Sequence, residues 1–173
     1  MFDAFTRREL EGMLRDAALN WLTHDGLWFL AAEEAYGTPA AIELDKKAWE
    51  TFTVIEAKRI IKRHGIQPGG GIPALAQALD RRLYAFINQQ EIVEQSDNRL
   101  IFRMTKCRVQ VARQHKGLPD FHCKPVGLVE YTGFARTIDP RIRTRCIACP
   151  PDPHPAEWFC AWEFTLDEQA QVE

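Results

Sequence analysis

Hydrophobic and polar positions in the first half of the chain recur with a helical period. Apolar residues return at steps of three or four, and the pattern predicts three helices, over residues 7–36, 38–64 and 72–87. Gly37 separates the first two helices, because glycine favours the left-handed backbone that often ends a helix. Pro39 suits the first turn of the second helix. Gly65 ends that helix after a cluster of basic residues, where cations favour the helix dipole.

The pattern changes to strand-like alternation after residue 90. Alternating apolar positions predict a first hairpin, one helix and a closing hairpin, over residues 90–95, 100–113, 121–136, 141–148 and 157–165. The fold class is therefore α+β. A helical layer over 1–90 packs on a small antiparallel sheet from a β-β-α-β-β segment over 91–173, and both belong to one compact domain.

The closing hairpin allows a register to be predicted. Cys146 and Cys160 each share the parity of the apolar positions on their strand. A symmetric loop would place these two cysteines opposite each other on the buried face. A slip of one residue would turn one apolar face toward water.

Composition and charge narrow the classes of function. The 173 residues carry a formal net charge of −2, and each half holds 11 basic and 12 acidic residues. Neither half has the excess of basic residues that binds a phosphate backbone, which argues against nucleic acid as a partner. No apolar run approaches the roughly 20 residues that span a bilayer, and the first residues lack the apolar block of a signal peptide. The expected location is cytoplasmic, and no membrane partner is expected. The sequence leaves open whether the chain forms a homo-oligomer.

All five cysteines lie in the second half of the chain. Reduced cytosolic thiols bind metals or react more often than they form disulfides. The ligand types of a zinc site occur in one segment, at Cys146, Cys149, His154 and Cys160. Zinc is thus the candidate cofactor, although the same thiols also suit a buried structural role or a catalytic or redox pair.

Cys123 is a candidate nucleophile at the predicted start of a helix. Helix N-termini and nearby cations stabilise a thiolate. His122 precedes Cys123, and Glu130 lies two turns further along the same helix face, so either could serve as the base. The alternative is a thiol packed against the sheet.

His24 and Asp25 interrupt the apolar stripe of the first helix. They lie between Trp21 and Trp28, where buried polar groups need hydrogen-bond partners. Either the pair lines a pocket or it supports a neighbouring element. The ligand-binding candidates are Trp21, His24, Asp25, Trp28, Arg103 and Cys107. Glu56 also shares an apolar helix face, and a buried arginine such as Arg103 or Arg108 is its expected partner.

Several motifs together resemble a family of uncharacterised bacterial cytosolic proteins. They are Trp21-x3-Asp25-Gly26-x-Trp28-Phe29, Cys107-x2-Gln110-x2-Arg113, Phe121-x-Cys123-Lys124, Cys146-x2-Cys149-Pro150-Pro151-Asp152 and Cys160-x-Trp162-x-Phe164. The C-terminal layout is also similar to two other groups. One is the L-2-amino-thiazoline-4-carboxylate hydrolase family, which opens a cyclic C–N bond. The other is the 4-vinyl reductase domain, which binds small molecules.

Three functions follow from these patterns. The leading one is a cytosolic protein that binds a small molecule between the helices and the sheet. The second is a hydrolase-like enzyme with a cysteine nucleophile, and the third is a metal-binding or thiol-sensor module. Whether the chain is an enzyme stays open at this stage.

Overall fold

A computed structural model describes residues 2–167 of the protein. Its helices and strands, in chain order, are α1 (Arg7–Tyr36), α2 (Thr38–His64), α3 (Gly71–Leu79), β1 (Gln89–Gln95), β2 (Arg99–Lys106), α4 (Arg108–His115), α5 (Lys124–Ile138), β3 (Ile142–Ala148) and β4 (Cys160–Leu166). Short 3-10 turns occupy Phe2–Ala4 and Leu83–Phe86. None of the described helices is both long enough and apolar enough to cross a membrane.

The four strands form one antiparallel sheet in the order β1-β2-β4-β3. Phe102, Trp162 and Phe164 lie on the helix-facing side, each at most 1% exposed. The opposite side carries charges, including Glu163, which pairs with both Arg99 and Arg145. Apolar and polar side chains therefore alternate along the strands, as expected for an antiparallel sheet with one solvated side. The predicted α+β class is confirmed.

The helices stack in layers on the apolar side of the sheet. α5 packs on the sheet, α2 packs on α5, and α1 packs on α2. A Cβ at Gly133 would lie 2.7 Å from Thr53 Cγ2, so the glycine permits α5 to approach α2 closely. Thr53 Oγ1 donates a hydrogen bond of 2.9 Å to the carbonyl of Glu130 at the same crossing.

The predicted third helix is too long. α3 ends at Leu79, and Arg82 has an extended backbone with φ −71° and ψ 154°. This turn carries the guanidinium of Arg82 into the core, where it pairs with Glu56 and Glu130. The prediction that Arg103 or Arg108 pairs with Glu56 is therefore wrong. Arg103 lies on the outer face of the sheet, and Arg108 is exposed.

The predicted strand over 100–113 is wrong after Lys106. Residues 108–115 form α4, and the side chain of Gln110 explains why the chain turns there. Gln110 Oε1 accepts a hydrogen bond of 2.8 Å from Phe121 N, and Nε2 donates one of 2.9 Å to Phe121 O. The buried amide thus ties α4 to the loop that leads into α5.

The predicted register of the closing hairpin is also wrong, by two residues. Cys146 lies opposite Trp162, and Ala148 lies opposite Ala161 after an irregularity between Cys146 and Ala148. Strand β4 begins only at Cys160, so the connecting loop is longer and less symmetric than expected. Because the shift is even, Cys146 and Cys160 still have the predicted parity.

Candidate functional site

A cavity of about 360 Å³ lies between α1, α4, α5 and the sheet. This volume falls within the usual range of small-molecule sites. Its walls are mostly apolar and include Leu22, Phe29, Leu30, Met104, Val109, Phe121, Val126 and Trp162. Phe29 on α1 contacts Phe121 with ring centroids 4.8 Å apart, so the long first helix covers one side of the cavity.

Glu130 is a buried acid in the wall of this cavity, and an ion pair with Arg82 compensates its charge. Arg82 Nη1 lies 2.7 Å from Glu130, and Arg82 Nη2 lies 2.9 Å from Glu56. Burial raises the pKa of Glu130, while the guanidinium of Arg82 opposes that rise. Burial disfavours the charge on Arg82, yet the two carboxylates raise its pKa above the ordinary value. Arg82 consequently stays charged and anchors α2, α5 and the turn after α3.

Asp25 and Asp45 form a second acidic pair in the same wall. Burial and the charges of Asp25 and Glu130 together raise the pKa of Asp45 to about 7. A hydrogen bond with Trp49 opposes it. Burial also raises the pKa of Asp25, with His24 opposing the shift. Asp45 was missed by the sequence analysis, because nothing distinguishes it from other acids on α2 until α1 covers it.

A smaller cavity of about 170 Å³ adjoins this acidic pair. Its walls are Trp21, Asp25, Ala48, Trp49 and Phe52. The ring of Trp21 lies 5.5 Å from Phe52 and 6.1 Å from Trp49 between centroids. The two cavities share Asp25 and Trp49, so α1 and α2 together build a continuous aromatic and acidic wall.

A group of four thiols lies where α5 begins and the closing hairpin meets it. Cys123 Sγ lies 3.4 Å from Cys149 Sγ. Hydrogen bonds with Cys123, Cys146 and Cys160 raise the pKa of Cys149. The hydrogen bond from Cys149 lowers the pKa of Cys146, and Lys124 adds to this effect. We call Cys123, Cys146, Cys149 and Cys160 the thiol cluster.

Comparison with known proteins gives a family and a similar fold. A protein-family sequence model described as "Family of unknown function (DUF6125)" matches residues 3–166. The chain belongs to the DUF6125 family. No curated protein matches the sequence of this DUF6125 member.

One solved structure with a similar fold is the phenol-responsive sensory domain of the transcription activator PoxR, with phenol. The TM-score is 0.55 at 16% sequence identity, over 84% of this DUF6125 chain and 74% of the other. The family match confirms the predicted resemblance to an uncharacterised family. The structural neighbour is a sensory domain and neither a thiazoline hydrolase nor a 4-vinyl reductase.

The predicted catalytic residues of this DUF6125 member do not assemble. Cys123 precedes α5, as expected, but its side-chain neighbours are Cys149 and the amide of Gln110. Glu130 is engaged by Arg82, and His122 is exposed and lines neither cavity. The geometry therefore provides no base for a cysteine nucleophile among these residues.

The predicted metal ligands are brought together only in part. His154 faces the carbonyl of Pro155 at 2.9 Å and Asp120 at 3.4 Å, whereas Cys123 joins the thiols. Within residues 2–167, no group of three or more histidine, cysteine or acidic side chains has an arrangement that could hold a metal ion. Cys123 was not among the predicted metal ligands, and the sequence distinguishes it only by its position at the start of a predicted helix.

The ligand-binding candidates divide into three groups. Asp25 and Cys107 line the larger cavity, and burial raises the pKa of Cys107 to about 12. Trp21 lines the smaller cavity. The other three candidates lie outside both cavities: His24 and Trp28 are exposed on α1, and Arg103 lies on the outer face of the sheet.

Proposed function

We propose that the protein is a receptor domain that binds a small, largely apolar molecule in the larger cavity. The observation that carries the proposal is the cavity itself, with about 360 Å³ lined mainly by aliphatic and aromatic side chains. Burying apolar ligand surface against such walls contributes roughly 25 cal/mol per Å². The fold supports the proposal, because the PoxR sensory domain responds to a small aromatic molecule.

The proposal is tested by filling the cavity. Leu30 lines it from α1 and is 43% exposed, so a larger side chain can enter without disrupting the core. We expect Leu30→Trp to abolish the fluorescence gain of Nile red, a neutral apolar dye, on binding to the parent protein. Leu14→Trp is the matched control, since Leu14 has the same exposure on the same helix but lines neither cavity. Equal dye binding by both variants would contradict the proposed function.

A second candidate function is metal binding, and the convergence of the thiol cluster favours it. In a tetrahedral site with zinc–sulfur bonds of about 2.3 Å, sulfur atoms lie roughly 3.8 Å apart. Cys123 and Cys149 are already 3.4 Å apart, and Cys146 and Cys160 would have to draw closer around the ion. Lys124, which pairs with Asp152 at 2.7 Å, supplies positive charge beside the thiolates.

Metal content decides the second candidate. We expect protein purified without chelator to hold about one zinc ion per chain by elemental analysis. Cys146→Ser should lose the metal, whereas Cys107→Ser and His154→Ala should retain it, since neither residue belongs to the thiol cluster. Protein without metal after expression in zinc-supplemented medium would exclude this function and leave the thiols as packed core groups.

A further inference from the structure

The charge in the cavity walls is unevenly compensated. Glu130 and Glu56 share Arg82, but no described residue forms an ion pair with Asp25 or Asp45. Both acids are half-buried, and the negative charge of Asp25 lies close enough to Asp45 to raise its pKa. Two like charges in a partly desolvated wall are unfavourable until a cation joins them.

The smaller cavity supplies the other half of a cation site. Trp21, Trp49 and Phe52 form three of its walls, and Asp25 forms a fourth. Aromatic faces attract an ammonium group within about 6 Å of the ring centroid. A cation held there would meet ring faces and a carboxylate at the same time, while its apolar body lies in the larger cavity.

A buried donor without a partner lies behind the wall of the larger cavity. Trp162 lines this cavity and is 0% exposed, and its indole Nε1 has no hydrogen-bond partner among residues 2–167. Leaving such a donor unpaired costs roughly 1–3 kcal/mol. Because Nε1 is itself buried, Trp162 offers its ring to the cavity wall, and its donor is out of reach of a ligand there.

The larger cavity also has basic residues, and they lie on a different element. Arg108 and Arg113 are on α4, and Lys116 follows that helix. Arg113 is engaged, since its Nε donates a hydrogen bond of 2.7 Å to the carbonyl of Pro119. Arg108 and Lys116 are exposed. A ligand anion would be drawn to this side, so the charge preference of the cavity is open to direct measurement.

We propose that the ligand is an aromatic primary amine, with its ammonium group held by Asp25 and Asp45 against the rings of the smaller cavity. This inference rests on the proposed function, because it names the class of molecule that the larger cavity takes. The aromatic body packs between α1 and α5 in the larger cavity.

Three probes with one aromatic skeleton test the inference: tyramine, tyrosol and 4-hydroxyphenylacetate. They present the same phenol and end in an ammonium, a neutral hydroxyl and a carboxylate. We expect tyramine to bind at least about tenfold more tightly than tyrosol by calorimetry at neutral pH, and the carboxylate to bind weakest. Asp45→Asn and Asp25→Asn should remove the preference for tyramine, whereas Glu50→Gln, an exposed acid on α2, should keep it.

The outcomes separate this inference from the proposed function. Equal affinity for tyramine and tyrosol, or a preference for the carboxylate, would overturn the amine inference while leaving a ligand-binding cavity. A preference for tyramine that survives both Asp→Asn substitutions would overturn it as well. If none of the probes binds and Nile red does not bind, the proposed function fails together with the inference.

Discussion

Replacing Asp45 with asparagine should stabilise the protein in a pH-dependent way. Burial and the charges of Asp25 and Glu130 raise the pKa of Asp45 from 3.8 to about 7. Between these two values the folded state keeps a proton that the unfolded state has lost. The contribution of Asp45 to stability therefore falls as the pH rises through this window, and the loss is complete above the folded pKa. Asparagine remains neutral and carries no such cost.

The size of the effect follows from the shift. At about 1.36 kcal/mol per pKa unit, the difference between 3.8 and about 7 sets a ceiling of about 4 kcal/mol. Asp45 is only half-buried, and solvent screens such a charge, so we expect about 1–2 kcal/mol. Asp45→Asn should gain this amount at about pH 8 and almost nothing at about pH 4.

Urea unfolding followed by tryptophan fluorescence measures the effect at both pH values. Trp49 contacts the acidic pair through its hydrogen bond with Asp45, and Trp21 lies beside it, so the signal reports on this part of the protein. Glu50→Gln removes a charge from the same helix at an exposed position and should show no such pH dependence. A gain of equal size at both pH values would refute the reasoning, and so would an unchanged midpoint at the higher pH.

Three further predictions concern the core. Gly133→Ala places a Cβ 2.7 Å from Thr53 Cγ2 and should cost about 1–3 kcal/mol in urea unfolding, whereas Gly12→Ala, with open space around it, should be neutral or stabilising. Arg82→Met leaves two buried carboxylates without a counter-ion and should lower stability by about 3–5 kcal/mol, most strongly at neutral pH. Cys107, with its pKa raised to about 12, should escape iodoacetamide in the folded protein and react after unfolding, as read by mass spectrometry; early labelling would contradict the raised pKa.

Elements set by local chemistry could be predicted from the sequence. α1 and α2 end at Gly37 and Gly65, both with positive φ, as glycine after a periodic helix indicates. The alternating apolar positions of β4 predicted its buried face, and the structure buries Trp162 and Phe164 there. In these cases the residues themselves hold the decisive signal, and no distant partner is needed.

Elements decided by distant partners could not be predicted. Arg82 ends the third helix early because it pairs with acids on α2 and α5, which are far away in the sequence. Gln110 turns the chain into α4 because its amide bonds to Phe121. His154 had a plausible spacing for a metal ligand, yet Asp120 and a proline carbonyl take its ring instead. Such competition becomes visible only when the packing is known.

The larger cavity and the thiol cluster share part of one wall, which makes a link between ligand and metal testable. Cys123, Cys149 and Cys160 all line the cavity. A Cβ on Gly127 would meet Trp162 Cζ2 at 2.8 Å and Cys149 Sγ at 3.9 Å, so α5, the indole and the central thiol are in close contact. If the cluster binds zinc, removing the ion should loosen this wall and weaken Nile red binding. Because coupling between the affinities of two sites is reciprocal, the dye should raise the zinc affinity measured by competition with a chelator. Equal zinc affinities with and without dye would show that the two sites are independent.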